Sequence, residues 1–433
     1  MPALRLILSL EATKFLQLMC TDQNMVQRYL AMKTDKGDNQ MRLLTTGIVS
    51  AIILAACGSP DAPASNETEP EATDAATPTT DTEEAEAQDA STSKYLEEPL
   101  VTEIYTADPS VHVWEDGRIY VYPSHDIDAG IPDDDLGSQY AMRDYIVLSM
   151  DEPGGDVTIH PVGLDVDDVA WADKQMWAPD AAEKDGKYFL YVPAKDKDGI
   201  FRIGVAVSDS PTGPFTAEES WIEGTYSMDP SVFEDDDGSH YLYIGGIWGG
   251  QLQRWVDGEY MDGPEWATDA QFDDPTTRED DVNFDDRPQH APIVAKLSDD
   301  MISLAEPLRE IVVVDADGNP IRMKDHERRF FEAPWVNKID GKYYLSYSTG
   351  NTHRIVYATG DSPYGPFTYQ GVVLDPVEGW TNHHSIFEFE GQYYLAYHDT
   401  QLSGRNHLRN AKITPLTIND DGTIMTVDPM PGD

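Results

Sequence analysis

The sequence predicts an all-β fold, a five-bladed propeller, and three observations carry that expectation. A turn of Asp-Gly or Glu-Gly followed by an aromatic-rich run recurs five times: DGRIYVYP from Asp116, DGKYFLYVP from Asp185, DGSHYLYIG from Asp237, DGKYYLSYS from Asp340 and EGQYYLAYH from Glu390. Each copy reads as a β-hairpin, and hairpin repeats about 50 residues apart are the signature of blades closing a ring. A second repeat, IGVAVSDSPTGPF from Ile203 and IVYATGDSPYGPF from Ile355, is one strand and turn in two blades. The apolar runs scarcely alternate with polar residues, as expected of strands covered on both faces by neighbouring blades rather than of a sandwich.

The elements follow in order. Residues 1–40 carry little signal and read as an over-extended gene start. The segment 41–57, MRLLTTGIVSAIILAAC, has a basic residue, a short apolar core and Leu54-Ala-Ala-Cys57. That pattern looks like a bacterial lipoprotein signal with Cys57 as the acylated residue, and its apolar run is shorter than the roughly 20 residues of a membrane span. The expected location is the cell envelope, with the membrane engaged only through the lipid. Residues 58–94 are dominated by Ala, Thr, Pro, Ser, Asp and Glu, a composition that cannot bury enough to fold and predicts a disordered acidic linker. The propeller then occupies 95–433. The third and fourth turn glycines, Gly238 and Gly341, stand about twice as far apart as their neighbours, which predicts an insertion at about 259–329.

Composition excludes several functions. The formal net charge is -49, which argues against nucleic acid and other anionic partners and fits a solvated acidic surface. Cys20 and Cys57 are the only cysteines, so the folded region has neither disulfides nor thiol chemistry.

The blade heads carry the chemistry. Asp108-Pro-Ser-Val-His, Asp229-Pro-Ser-Val-Phe, Glu332-Ala-Pro-Trp-Val and His383-His-Ser-Ile-Phe open four blades, and the three acids each stand nine residues before their turn glycine. One Asp before Pro is an ordinary turn residue. Three acids and a histidine in register, aimed at the crowded centre of a ring, are costly to desolvate and have no folding purpose. They read as a functional cluster.

With these motifs the chain, from about residue 98 to 425, resembles glycoside hydrolase family 43. The resemblance implies a five-bladed propeller in which Asp108 is the general base, Asp229 tunes and orients the acid, and Glu332 is the general acid. It further matches His383 to a histidine that contacts a central metal, often calcium. The family's Gly-His pair reads Asn382-His383 here and is followed by His384, so either imidazole is a candidate to face the axis, His383 for the metal and His384 for substrate. Inverting hydrolysis needs one carboxylic acid for the leaving oxygen and one carboxylate for water on the opposite face. Glu332 is expected to stay protonated beside the Asp229 charge and the apolar Phe330, Phe331 and Trp335.

Trp177 resembles the family's stacking tryptophan, while Trp248, in GGIWGGQ, is a second aromatic candidate for sugar and Arg409 the candidate to hold a carboxylate or hydroxyl. Stretches such as MWAPDAAEKDGKYFLY and HHSIFEF resemble the exo-acting β-xylosidase branch, implying xylose release from β-1,4-xylo-oligosaccharides or arabinoxylan fragments, with α-L-arabinofuranosidase as the alternative. A sugar-binding propeller without catalysis would have lost a carboxylate, and a retaining fructan-cleaving one would carry Asn-Asp-Pro-Asn and Glu-Cys-Pro; neither condition is met.

Overall fold

A computed structural model describes residues 93–134, 136–256, 258–260, 288–350 and 352–432. Cys57, the lipoprotein signal and the linker up to residue 92 lie outside the described residues, as does 261–287 of the expected insertion.

Five sheets follow one another along the chain, antiparallel except where Val313–Val314 pairs Phe367–Leu374, and their innermost strands are Tyr105–Val113, Asp180–Lys184, Ser231–Glu234, Glu332–Ile339 and His384–Phe389. Every innermost strand touches the next, and the fifth touches the first, so the ring is closed. The second strand of blade one shows why the apolar runs do not alternate. Ile119 and Val121 pack with Phe387, Ala396 and Ile413 of blade five, whereas Tyr120 and Tyr122 pack with Leu190 and Val192 of blade two. Side chains one residue apart point to opposite faces, and here both faces are core.

Polar groups staple each blade to its neighbour near the axis. Ser385 of blade five donates to the Pro109 carbonyl at 2.6 Å, Asp180 of blade two accepts from blades one and three, Asp229 accepts from Ala333 N–H at 3.0 Å, and Trp335 Nε1 donates to the Ile386 carbonyl at 3.0 Å. The ring is sealed where blade one and the segment before it meet blade five: Leu100 N–H donates to the Ala411 carbonyl and Thr106 N–H to the Arg409 carbonyl, both at 2.9 Å.

The expected insertion is too wide. Ile293–Lys296 is the third strand of blade three, paired with His240–Ile244, and Arg309–Glu310 is the fourth. These strands, four and two residues long and without aromatics, leave no run of the kind that marks the five hairpins.

Turn length also corrects the register of the heads. Blades two, four and five close with two-residue turns, in which Asp185, Asp340 and Glu390 join their glycines at positive φ, as a type I′ turn requires. Blades one and three use five-residue loops. Counting ladder partners, Ser110 pairs Tyr122, Asp180 pairs Tyr191, Ser231 pairs Tyr243, Trp335 pairs Ser346 and Ser385 pairs Ala396. The residues level with Asp108 are therefore Ala178, Asp229, Ala333 and His383. Glu332 stands one residue ahead of that level.

Candidate active site

Asp108, Asp229, Glu332 and His383 converge on one cavity of about 500 Å3, walled further by Trp177, Trp248, Phe331, His353, Trp380 and Arg409. Backbone shape contributes to this convergence. Asp108 and Asp229, each followed by proline, have φ of 48° and 53°, and Ala333 before Pro334 has 58°. L residues avoid this left-handed region, and proline restricts its predecessor further, so the surroundings must hold the heads in place. The ladder is interrupted at the same points, between Ala107 and Ser110 and between Glu332 and Trp335.

Asp108 is saturated with partners. Its Oδ2 accepts from Ser124 Oγ at 2.6 Å and its Oδ1 from Arg409 Nη1 at 2.8 Å, while its N–H donates to His398 Nδ1 at 3.0 Å. Burial alone would raise its proton affinity, but the Arg409 guanidinium beside it prevails and holds the carboxyl well below the usual range. Arg409 is fixed in turn by a two-pronged contact with Asp126, Nε to Oδ2 and Nη2 to Oδ1, each 2.8 Å. Expected to receive a carboxylate or sugar hydroxyl, Arg409 thus holds two carboxylates of the protein itself while still lining the cavity.

Glu332 has the opposite setting. It lines the cavity and keeps part of its surface open to it, and among the described residues nothing donates a hydrogen bond to its carboxyl. Burial pushes its proton affinity well up, and the Asp229 and Asp108 charges push in the same direction. Asp229 is itself raised, by burial and then by the Asp108 charge.

His383 settles between the acids, with Nδ1 3.7 Å from Asp108 Oδ1 and 3.8 Å from Asp229 Oδ2, and burial lowers it to about 4, so the ring is neutral. His384 does not join it. Successive strand residues face opposite ways, and His384 Nε2 lies 2.6 Å from Ser346 Oγ between blades four and five, away from the cavity lining. Its expected contact with substrate is therefore corrected to an inter-blade staple. As for a metal, among the described residues no three His, Cys, Asp or Glu side chains gather as a cage. One neutral imidazole beside engaged carboxylates suits calcium, a cation that prefers oxygen, only with a shell made mostly of water.

Both expected tryptophans line the cavity. Trp177 Nε1 donates to the Tyr140 carbonyl at 2.7 Å, and the ring is wedged so tightly that a Cβ on Gly137 would come within 2.8 Å of it and one on Gly249 within 3.0 Å. Trp248 stacks near Trp380, with ring centroids 5.9 Å apart and planes 28° from parallel, and meets Phe331 edge-on. Trp380, His353, Asp126 and His398 escaped sequence reasoning. Trp380 stands three residues before His383, a spacing that marks it; Asp126 and His398 stand at the polar ends of their strands, beyond the apolar runs, and nothing adjacent marks them.

The fold and the opposed carboxyls describe a glycosidase. The sequence matches Glycosyl hydrolases family 43 over residues 157–280 and 274–424, and the chain belongs to that family. It is 53% identical to xylosidase/arabinosidase 43A of Humicola insolens across 335 residues, 76% of this chain and 99% of that one. A xylosidase/arabinosidase of Bacteroides ovatus is 49% identical, covering 76% and 97%. Among solved structures, a family 43 β-xylosidase/α-arabinofuranosidase from a compost microbial metagenome, in complex with xylotriose and in a calcium-free form, is 61% identical with a TM-score of 0.73, covering 77% of this chain and 97% of that one. A family 43 enzyme of Xanthomonas citri complexed with xylotriose is 54% identical with a TM-score of 0.71, covering 78% and 96%.

Proposed function

We propose that the enzyme removes xylose from the non-reducing end of β-1,4-xylo-oligosaccharides with inversion, and that α-L-arabinofuranosides are a second substrate class of the same cavity. The observation that carries this reading is the convergence on one cavity of Asp108, whose carboxylate accepts from Arg409 and Ser124, and Glu332, which has no donor among the described residues. Ionised Asp108 takes a proton from water as its oxygen bonds to the anomeric carbon. Protonated Glu332 gives its proton to the glycosidic oxygen as that bond breaks. In the buried pair each carboxyl favours the proton on the other, so Asp229 when ionised keeps Glu332 protonated, and through its bond to Ala333 N–H it fixes the strand that presents Glu332. The second substrate class is supported by the relatives named xylosidase/arabinosidase. Rates on paired aryl β-xyloside and α-arabinofuranoside test both parts; inactivity on both rejects the reading.

A water-shelled calcium ion beside His383 belongs to the same proposal, supplying positive charge near Asp108 when bound. Chelation should lower the rate and calcium restore it in the parent but not in His383→Ala; an unchanged rate after chelation removes the ion from the reading. Attachment through Cys57 is proposed likewise, on the Leu-Ala-Ala-Cys sequence. Cys57→Ser should release active enzyme into the soluble fraction, and an unchanged membrane fraction would contradict it.

A further inference from the structure

Asp180, the last residue of Trp177-Ala-Pro-Asp180, is a fully buried carboxyl that does not line the cavity and takes no part in proton transfer. It occupies the level of the ring just beyond the acids, with Ser110, Ser231, Trp335 and Ser385, and is the one carboxyl among those five. Its oxygens reach two different blades. Oδ1 accepts from Ser110 Oγ and from His112 Nε2, the latter at 2.7 Å, both on the strand of blade one. Oδ2 accepts from Val232 N–H at 2.5 Å, on the strand of blade three. Ser110 is two residues beyond Asp108, and Val232 three beyond Asp229.

We infer that Asp180 is a positioning residue: by clamping the strands of blades one and three with opposite oxygens, it sets the separation of Asp108 and Asp229. The heads need such a hold, since both acids sit in a left-handed backbone conformation, Asp108 at an interruption of its ladder and Asp229 two residues before its own ladder begins. The hold extends to the acid as well, because Asp229 Oδ2 accepts from Ala333 N–H, next to Glu332. A buried carboxylate is an expensive way to join strands that apolar packing already joins. What it adds is a rigid, planar spacer with acceptors on both sides, and catalytic geometry tolerates little slack.

This inference rests on the base, modulator and acid roles proposed above, so Asp108→Ala and Glu332→Ala are measured in parallel; their failure would show on those variants whatever Asp180 does. Asp180→Asn keeps the volume but offers an acceptor on one side only. It should fold, lower kcat on xylobiose about 30-fold and leave KM within about threefold. The alkaline limb of its kcat/KM profile should move to lower pH, because the Asp229 charge withdraws from Glu332. Ser110→Ala cuts one arm and should lose about threefold in kcat with the limb displaced in the same direction. A folded Asp180→Asn with the parent kcat and an unmoved limb overturns the inference. So does a loss of rate that disappears on cooling in step with the lowered Tm, which is the behaviour of a staple that only stabilises. Should Asp180→Asn fail to fold, Ser110→Ala decides alone: parent kcat and limb refute the clamp, and the small kcat loss with a displaced limb supports it.

Discussion

The heads of blades one and four hold the same functional group in opposite states. Asp108 accepts from Ser124 and Arg409 and has an imidazole at its amide, whereas Glu332 has no donor among the described residues and two carboxyls for company. Burial opposes ionisation at both. The largest favourable influence on Asp108 is one guanidinium, delivered by blade five and anchored on Asp126, whereas Glu332 has the Asp229 and Asp108 charges against its ionisation. A ring thus gives similar residues different proton affinities by distributing charge unevenly about its axis, the contrast on which the proposed base and acid roles rest.

Removing Asp108, the proposed base, tests the contrast hardest. Asp108→Ala should lower kcat by about 10^4-fold on xylobiose and aryl xylosides alike, since water must be activated whatever leaves. In the parent, proton NMR should show α-xylose as the first product; β-xylose first would make Asp108 a nucleophile and end the comparison with an acid across the axis. Next in size, Glu332→Ala should lose about 10^3-fold on xylobiose but less than about tenfold on aryl xylosides with good leaving groups, which depart without a proton. Equal losses on both would withdraw the acid assignment.

Arg409→Met attacks the cation. With Asp108 and Asp126 left unpaired in the interior, stability should fall by about 3–5 kcal/mol. Asp108 would then titrate nearer the ordinary carboxylate range, so the acid limb of kcat/KM should move to higher pH; an unmoved limb would mean that Arg409 does not set the base. The smallest effect is thermal. Glu332 binds its proton more tightly in the folded protein than in the unfolded chain, so its contribution to stability is present below the unfolded pKa and is lost as pH rises through the folded one. Glu332→Gln, which mimics the protonated form, should therefore gain Tm over the parent at about pH 9 and match it at about pH 4. A gain that ignores pH would point to packing instead.

Legibility followed the range of the interaction involved. The five hairpins, the covered faces and the converging heads are local patterns, repeated five times, and they were readable because a turn glycine at positive φ and a doubly buried strand leave marks in adjacent residues. The misreadings come from what adjacent residues do not record. Counting from the turn glycine puts Glu332 level with Asp108 because the count does not register loop length, and the outer strands of blade three read as insertion because Ile293–Lys296 and Arg309–Glu310 are too short to show a pattern.

The sequence by itself determined which residues could carry the chemistry: two aspartates before prolines, a glutamate and a histidine at blade heads, and a family resemblance that their order conveys. Only the tertiary structure decided what separates the two carboxyls in proton affinity and which imidazole lines the cavity. Asp108 is ionised because Arg409, three hundred residues later, closes the ring beside it, and His384 turns away because a strand shows alternate residues to alternate faces and Ser346 waits on the far one. Proton affinity is set by charges and solvent within a few ångströms. In a ring whose last blade meets its first, those neighbours come from opposite ends of the chain.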